Sequence, residues 1–129
     1  MRVTKLLSIT NAGRGTTVCD RARLAETSRT RLLGLLGEQG LAAGEGLWIT
    51  PSSGVHTWGM SFAIDVVALD AHLRVVAAVE RVGPWRLAGL SWKTRSVLEL
   101  PAGQIERAEI AVGDTLEIRE ATPPEVSAA

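Results

Sequence analysis

Residues 64–82, IDVVALDAHLRVVAAVERV, decide the reading of the fold. Ile64–Leu69 carries the β-branched and aliphatic side chains of a strand. Asp70-Ala71-His72 reads as a hairpin turn, and Leu73–Val82 returns as a second, longer strand. Lys5–Thr10 and Thr16–Arg21 flank the glycine-rich turn Asn11–Gly15 and predict another hairpin. Leu47–Thr50 is a short strand stopped by Pro51-Ser52-Ser53-Gly54, and Val55–Thr57 reads as extended. Ser96–Leu100 ends at Pro101, and Thr115–Arg119 is the last strand. Between them Gly103–Gly113 is a connection with room for a helical turn. Gly83–Arg95 reads as an irregular loop.

One helix is predicted, over about Glu26 to Leu36. Thr27 or Ser28 can cap it, and Leu32, Leu33, Leu35 and Leu36 give it an apolar face. Gly34 weakens it and Gly37 can end it. Several short strands and one early helix predict an α+β class. The domain would be β-dominated, built on a mostly antiparallel sheet or a small, partly closed barrel. One globular domain is expected over residues 1–120, with 121–129 a loose tail.

Composition narrows the function classes. The chain has 129 residues, of which 46% are hydrophobic, enough for an ordinary core. Lys and Arg number 14, as do Asp and Glu, so the formal net charge is zero. Neither nucleic acid nor an anionic membrane is advertised as a partner. Cys19 is the only cysteine, so no intrachain disulfide and no multi-thiolate zinc site can form. The amino-terminal apolar run is too short for a signal peptide, and no later run reaches a membrane-spanning length. A soluble, cytoplasmic chain is expected. With four Trp, one Phe and no Tyr, the core must be mainly aliphatic.

The chemistry-bearing residues concentrate in Gly54–Asp70. His56 has the side chain of a general base at neutral pH, or of a ring that ties a turn to the sheet. Thr57 beside it could hydrogen-bond a ligand. Asp65 interrupts an apolar strand. It either orients His56, in the manner of carboxylate–histidine pairs, or accepts main-chain N–H groups of the preceding turn and holds it. Glu99 alternates with Leu98 and Leu100, the pattern of a glutamate on a solvent face. If its strand lay beside that of Asp65, the two carboxylates could share a site. Cys19, His56, Met60 and His72 are copper-type ligands, but no spacing links them, and neither a metal nor another cofactor is expected. No nucleophile elbow or phosphate-cradling glycine pattern occurs. In the 83–95 loop, Trp85-Arg86 and Trp92-Lys93-Thr94-Arg95 alternate flat rings with cations, a composition suited to recognition or to covering one end of the sheet.

Taken in order, a set of segments resembles the bacterial and archaeal domain of unknown function family 192, also called uncharacterised protein family 0127. The segments are Arg31–Leu36, Gly46–Ile49, Val55–Met60, Ile64–Asp70, Pro84–Arg86, Val97–Gly103 and Val112–Asp114. The resemblance spans about Thr16 to Ile118 and implies a β-rich domain with a helix near its start. It implies no activity. Related sequences often have a cysteine where this chain has Ser52 and a large residue where it has Gly59, so a thiol role at that place is lost here.

The reading favours a non-catalytic binding or accessory module for a small molecule or a protein segment. Its pocket would be lined by His56, Thr57, Met60 and Asp65, with Trp85, Arg86 and Glu99 at the rim. One alternative is a hydrolase or acid–base enzyme using His56 with Asp65. Another is a purely structural interaction domain that pairs through an open sheet edge.

Overall fold

A computed structural model describes residues 6–25 and 40–121. The predicted helix at Glu26–Leu36 lies outside the described residues. So does the expected tail apart from Ala121, whose N–H donates to the Leu6 carbonyl at 3.0 Å.

Nine strands are described: β1 Leu6–Asn11, β2 Thr16–Ala25, β3 Glu45–Ile49, β4 Val55–His56, β5 Ile64–Leu69, β6 Val75–Val82, β7 Leu87–Ala88, β8 Ser96–Pro101 and β9 Leu116–Glu120. A helical turn, α1, occupies Gln104–Arg107 within the connection after β8. Seven strands form one sheet in the order β6-β5-β8-β3-β2-β1-β9. Every neighbouring pair is antiparallel except β2 and β3. A bridge between Arg74 and Thr115 links the two outer strands at one end, so the sheet curls into a half-barrel. The class is α+β and β-dominated, as the sequence predicts.

β2 runs four residues beyond its expected end at Arg21, because Arg21–Ala25 pairs in parallel with Glu45–Ile49. The side chains there alternate: Ala22 is buried in the core and Leu24 packs against it, while Arg21 is exposed and Arg23 half-buried. That period of two is the signature of a strand with one face more covered than the other, and it ends at Ala25, which is buried.

Two apolar clusters sandwich the middle of the sheet. The concave interior holds Val67, Leu69, Leu98 and Leu100 with Ile9, Val18, Ile105 and Leu116. The other face carries Ile64, Val66, Val82 and Val97 under Val55, Met60 and Ala88. β4 and β7 form a separate two-stranded ribbon and contribute Val55 and Ala88 to that second cluster. All six residues of β5 are therefore buried. The ribbon corrects the reading of 83–95 as wholly irregular. Its second strand is only two residues long, too short to leave a pattern.

The closed end of the half-barrel is tied by Asp114. Its Oδ2 accepts from Arg14 Nε at 2.8 Å, Asn11 Nδ2 at 2.9 Å and the Ala111 N–H at 2.9 Å. The Asp114 carbonyl accepts from the Val75 N–H at 2.8 Å, which joins the same turn to β6. The Arg14 hydrogen bond, then those of Asn11 and Ala111, draw the Asp114 carboxyl down from 3.8 to about 2. A carboxylate whose folded pKa lies below its unfolded one adds stability above the unfolded value and loses it as pH falls through the folded value. The gap in urea midpoint between wild type and Asp114→Asn should thus be full near neutrality. It should close between about pH 4 and pH 2, as followed by circular dichroism. A gap independent of pH would show that the charge of Asp114 does not matter to the clasp.

Candidate functional site

Asp65 lies on the concave face of β5 with Val67 and Leu69 and is fully buried. Opposite it β6 bulges. Ile64 pairs with Val82 and Val66 with Val79, so two residues, Glu80 and Arg81, face one. Arg81 takes a left-handed φ of 50°, and its N–H donates to Asp65 Oδ1 at 2.9 Å. Oδ2 accepts from Gly103 N–H at 3.1 Å and Ile105 N–H at 2.8 Å. Gly103 has φ 94°, and a Cβ there would lie 3.0 Å from Arg107 Nη1. Glycine therefore suits this turn into α1. Both oxygens of this buried side chain are taken up by main-chain N–H groups from two connections. Of the two roles read for Asp65, the N–H acceptor is the one present. The segments it holds are the β6 bulge and the entry to α1, not the turn before its own strand.

His56 is exposed on β4, its ring 4.8 Å from that of Trp58 and tilted by 32°. The ribbon that bears it covers the convex face of β5, whereas Asp65 points to the concave one. The sheet separates them, and the His56–Asp65 pair, one of the two readings of Asp65, does not form. Glu99 and Asp65 are likewise parted. Their strands are neighbours, but Asp65 pairs with Leu100 and Glu99 with Val66. Directly paired residues share a face, so the two carboxylates stand on opposite sides of the sheet. Glu99 is also fully buried, which corrects its reading as an outward glutamate. Its alternation with leucines marks a strand covered on both faces.

Thr57 is buried and spent on main-chain partners. Its hydroxyl donates to the Gly83 carbonyl at 2.6 Å and accepts from the Arg86 N–H at 2.8 Å. Its own N–H donates to the Arg86 carbonyl at 2.8 Å, and its carbonyl accepts from the Trp85 N–H at 3.2 Å. Thr57 clamps segment 83–86 onto the ribbon, and its hydroxyl is not offered to a ligand. Met60 is buried in the convex-side cluster. Of the expected pocket, then, Thr57, Met60, Asp65 and Glu99 are interior. Only His56, Trp85 and Arg86 reach the surface.

The surface residues are tied through the backbone to one ribbon. His56 pairs with Leu87 across the ribbon, Trp58 touches the His56 ring, and Trp85 is bonded through its N–H to Thr57. Trp58, Trp85, Leu87 and Leu90 are all exposed, Trp85 to 70%. Leu90 lies over Gly54, at a φ of 152°, where a Cβ would collide with it. The sequence reading missed Trp58, Leu87 and Leu90. The available signal was the alternation of Val55, Thr57 (inward) with His56, Trp58 (outward). It becomes informative only once the partner strand is known.

The remaining ligand-type side chains are dispersed. Cys19 is in the interior cluster, where burial, with Asp20 nearby, pushes its thiol up to about 12. His72 sits on the β5–β6 turn. Among the described residues no group of three or more His, Cys, Asp and Glu is placed to hold a metal ion.

The family model of DUF192, described as uncharacterized ACR, COG1430, matches residues 8–118. The chain belongs to that family. Comparison with curated proteins found no match. Two crystal structures share the fold. One is a protein of unknown function from Novosphingobium aromaticivorans, with a TM-score of 0.69 and 22% identity, covering 87% of this chain and 83% of that one. The other, from Sinorhizobium meliloti, is provisionally described as a transcription regulator. It has a TM-score of 0.70 and 20% identity, covering 91% of this chain and 97% of that one. At these identities the likeness extends to the fold.

Asp65→Asn places an amide donor against buried N–H donors and leaves at least one of them without its acceptor. It should cost about 3 kcal/mol or more in urea unfolding. A loss under about 1 kcal/mol would mean that the carboxylate is dispensable. Trp85→Ala should change stability by less than about 1 kcal/mol. A loss of about 3–5 kcal/mol, the scale of a buried tryptophan, would place that ring in the core.

Proposed function

We propose that this domain is a non-catalytic binding module and that the β4–β7 ribbon is its contact surface, recognising an apolar protein segment. The observation that carries the reading is the division of polar from apolar groups. Asp65 and Thr57, the groups expected to do chemistry or to hold a ligand, are committed to main-chain partners. Large apolar side chains meanwhile stand in solvent on one small ribbon and the residues that flank it. Apolar side chains grouped on a surface are a feature of recognition sites, and tryptophan and arginine are favoured anchors. Trp58, Trp85 and Leu87 supply area; His56 and Arg86 supply hydrogen bonds and charge at the margin. Clamped beneath by Thr57, the ribbon loses little freedom when it binds, which favours affinity.

Peptides selected from a random display library on the full chain, then mapped by chemical shift, test this. Selected sequences should be rich in apolar residues and should shift the amides of His56, Trp58, Trp85 and Leu87. The double substitution Trp58→Ala with Trp85→Ala should weaken binding about tenfold or more, roughly 1.4 kcal/mol, without moving the unfolding midpoint. Shifts confined to other surfaces, or full affinity in the double variant, would refute the assignment.

A further inference from the structure

The other half of the 83–95 loop borders two adjoining open hollows of about 200 and 530 Å³. Both have Asp70, Trp92 and Lys93 in their walls. Arg74 lines the larger with Val76 and Val112, and Arg95 lines the smaller. Two arginines and a lysine therefore line the pair of hollows with one aspartate, in a chain whose formal charges cancel.

That carboxylate is engaged locally. Asp70 Oδ1 accepts from its own turn, from the His72 N–H at 2.8 Å and the Arg74 N–H at 3.0 Å. Arg95 Nη1 donates to the Trp92 carbonyl at 3.0 Å, which steadies the loop. The Trp92 indole is 81% exposed, and Lys93 Nζ stands 5.3 Å from its ring centroid. The wall thus joins a flat apolar ring to an ammonium and a guanidinium, beside two valines. Guanidinium binds carboxylate or phosphate in a planar, two-point manner, and an exposed indole stacks on other rings. The larger hollow falls within the roughly 300–1,000 Å³ range of small-molecule sites.

We propose that this hollow binds small aromatic anions, the ring stacked on Trp92 and the acid group held between Arg74 and Lys93. The site is separate from the ribbon and does not depend on the ribbon's role. The required chemistry is a planar ring bearing a carboxylate or a phosphate, and the two sources are separated by the probes.

The full chain is titrated with 1-naphthoate, adenosine 5′-monophosphate, cyclohexanecarboxylate and inorganic phosphate, while the Trp92 indole N–H is followed by nuclear magnetic resonance. Saturable shifts are expected with naphthoate, with the nucleotide, or with both, and the stronger of the two names the acid group preferred. Each such ligand should bind about tenfold more tightly than phosphate and cyclohexanecarboxylate. Trp92→Ala and Arg74→Gln, with unchanged unfolding midpoints, should each weaken it about tenfold; for Trp92→Ala the amide signals of Lys93 and Arg74 report binding. The proposal is overturned if neither aromatic anion saturates below about 10 mM. Equal binding of inorganic phosphate or cyclohexanecarboxylate, or indifference to both substitutions, overturns it as well.

Discussion

A single buried carboxylate reconciles the sheet with the two connections that finish it. Burying an unpaired charge is prohibitive, so Asp65 must be met by donors wherever β5 enters the interior. The donors are main-chain N–H groups of Arg81, Gly103 and Ile105. Each comes from backbone that lacks a regular partner: a bulge in one case and the entry to a four-residue helical turn in the others. Their need for an acceptor and the carboxylate's need for donors are satisfied together. In consequence α1 is held so that Ile105 joins the interior cluster, and Arg81 is kept in a left-handed conformation that a non-glycine residue adopts at a cost of about 1–2 kcal/mol.

Covering β5 and β8 from both sides has a consequence for function. Residues close in sequence are sent to opposite sides of the sheet, and residues side by side on neighbouring strands are parted by register. Asp65 and Glu99 illustrate the second case, His56 and Asp65 the first. Acid–base chemistry by a His56–Asp65 pair is thereby ruled out by geometry. The exposed tryptophans fall instead on two surfaces, the β4–β7 ribbon and the hollow beside Trp92. Both belong partly to one loop, 83–95, anchored at Thr57 and Thr94. Thr94 Oγ1 donates to the Gly89 carbonyl at 2.8 Å, as the Thr57 hydroxyl does to Gly83. Two buried threonines pin a loop whose tryptophans are left in solvent.

Much of the fold was legible because strand signals are local. Ile64–Leu69 is bounded as read, since its β-branched run ends in a turn whose Asp70 bonds its own following N–H groups. Asp65 could be singled out as anomalous from its apolar neighbours alone. Its partners could not, because Gly103 and Ile105 lie some forty positions away and offer N–H groups that every residue has. Glu99 was misread for a complementary reason. Alternation reports that a strand has two faces, but not whether the second is wet. The loop tryptophans kept both readings open, since a ring that covers a sheet and a ring that waits for a partner have the same composition. Register and layering, which settle such questions, are tertiary facts.

The most direct test of this account is native-state hydrogen exchange at three amides, those of Arg81, Gly103 and Ile105. Bonded to a buried carboxylate, they should exchange as slowly as the interior strand amides of β5 and β8, through global unfolding. Replacing Asp65 by asparagine should speed the strand amides together, by the loss of global stability, and these three further still. Rapid exchange at all three in the wild-type protein, typical of loop amides open to solvent, would contradict the central place given to Asp65.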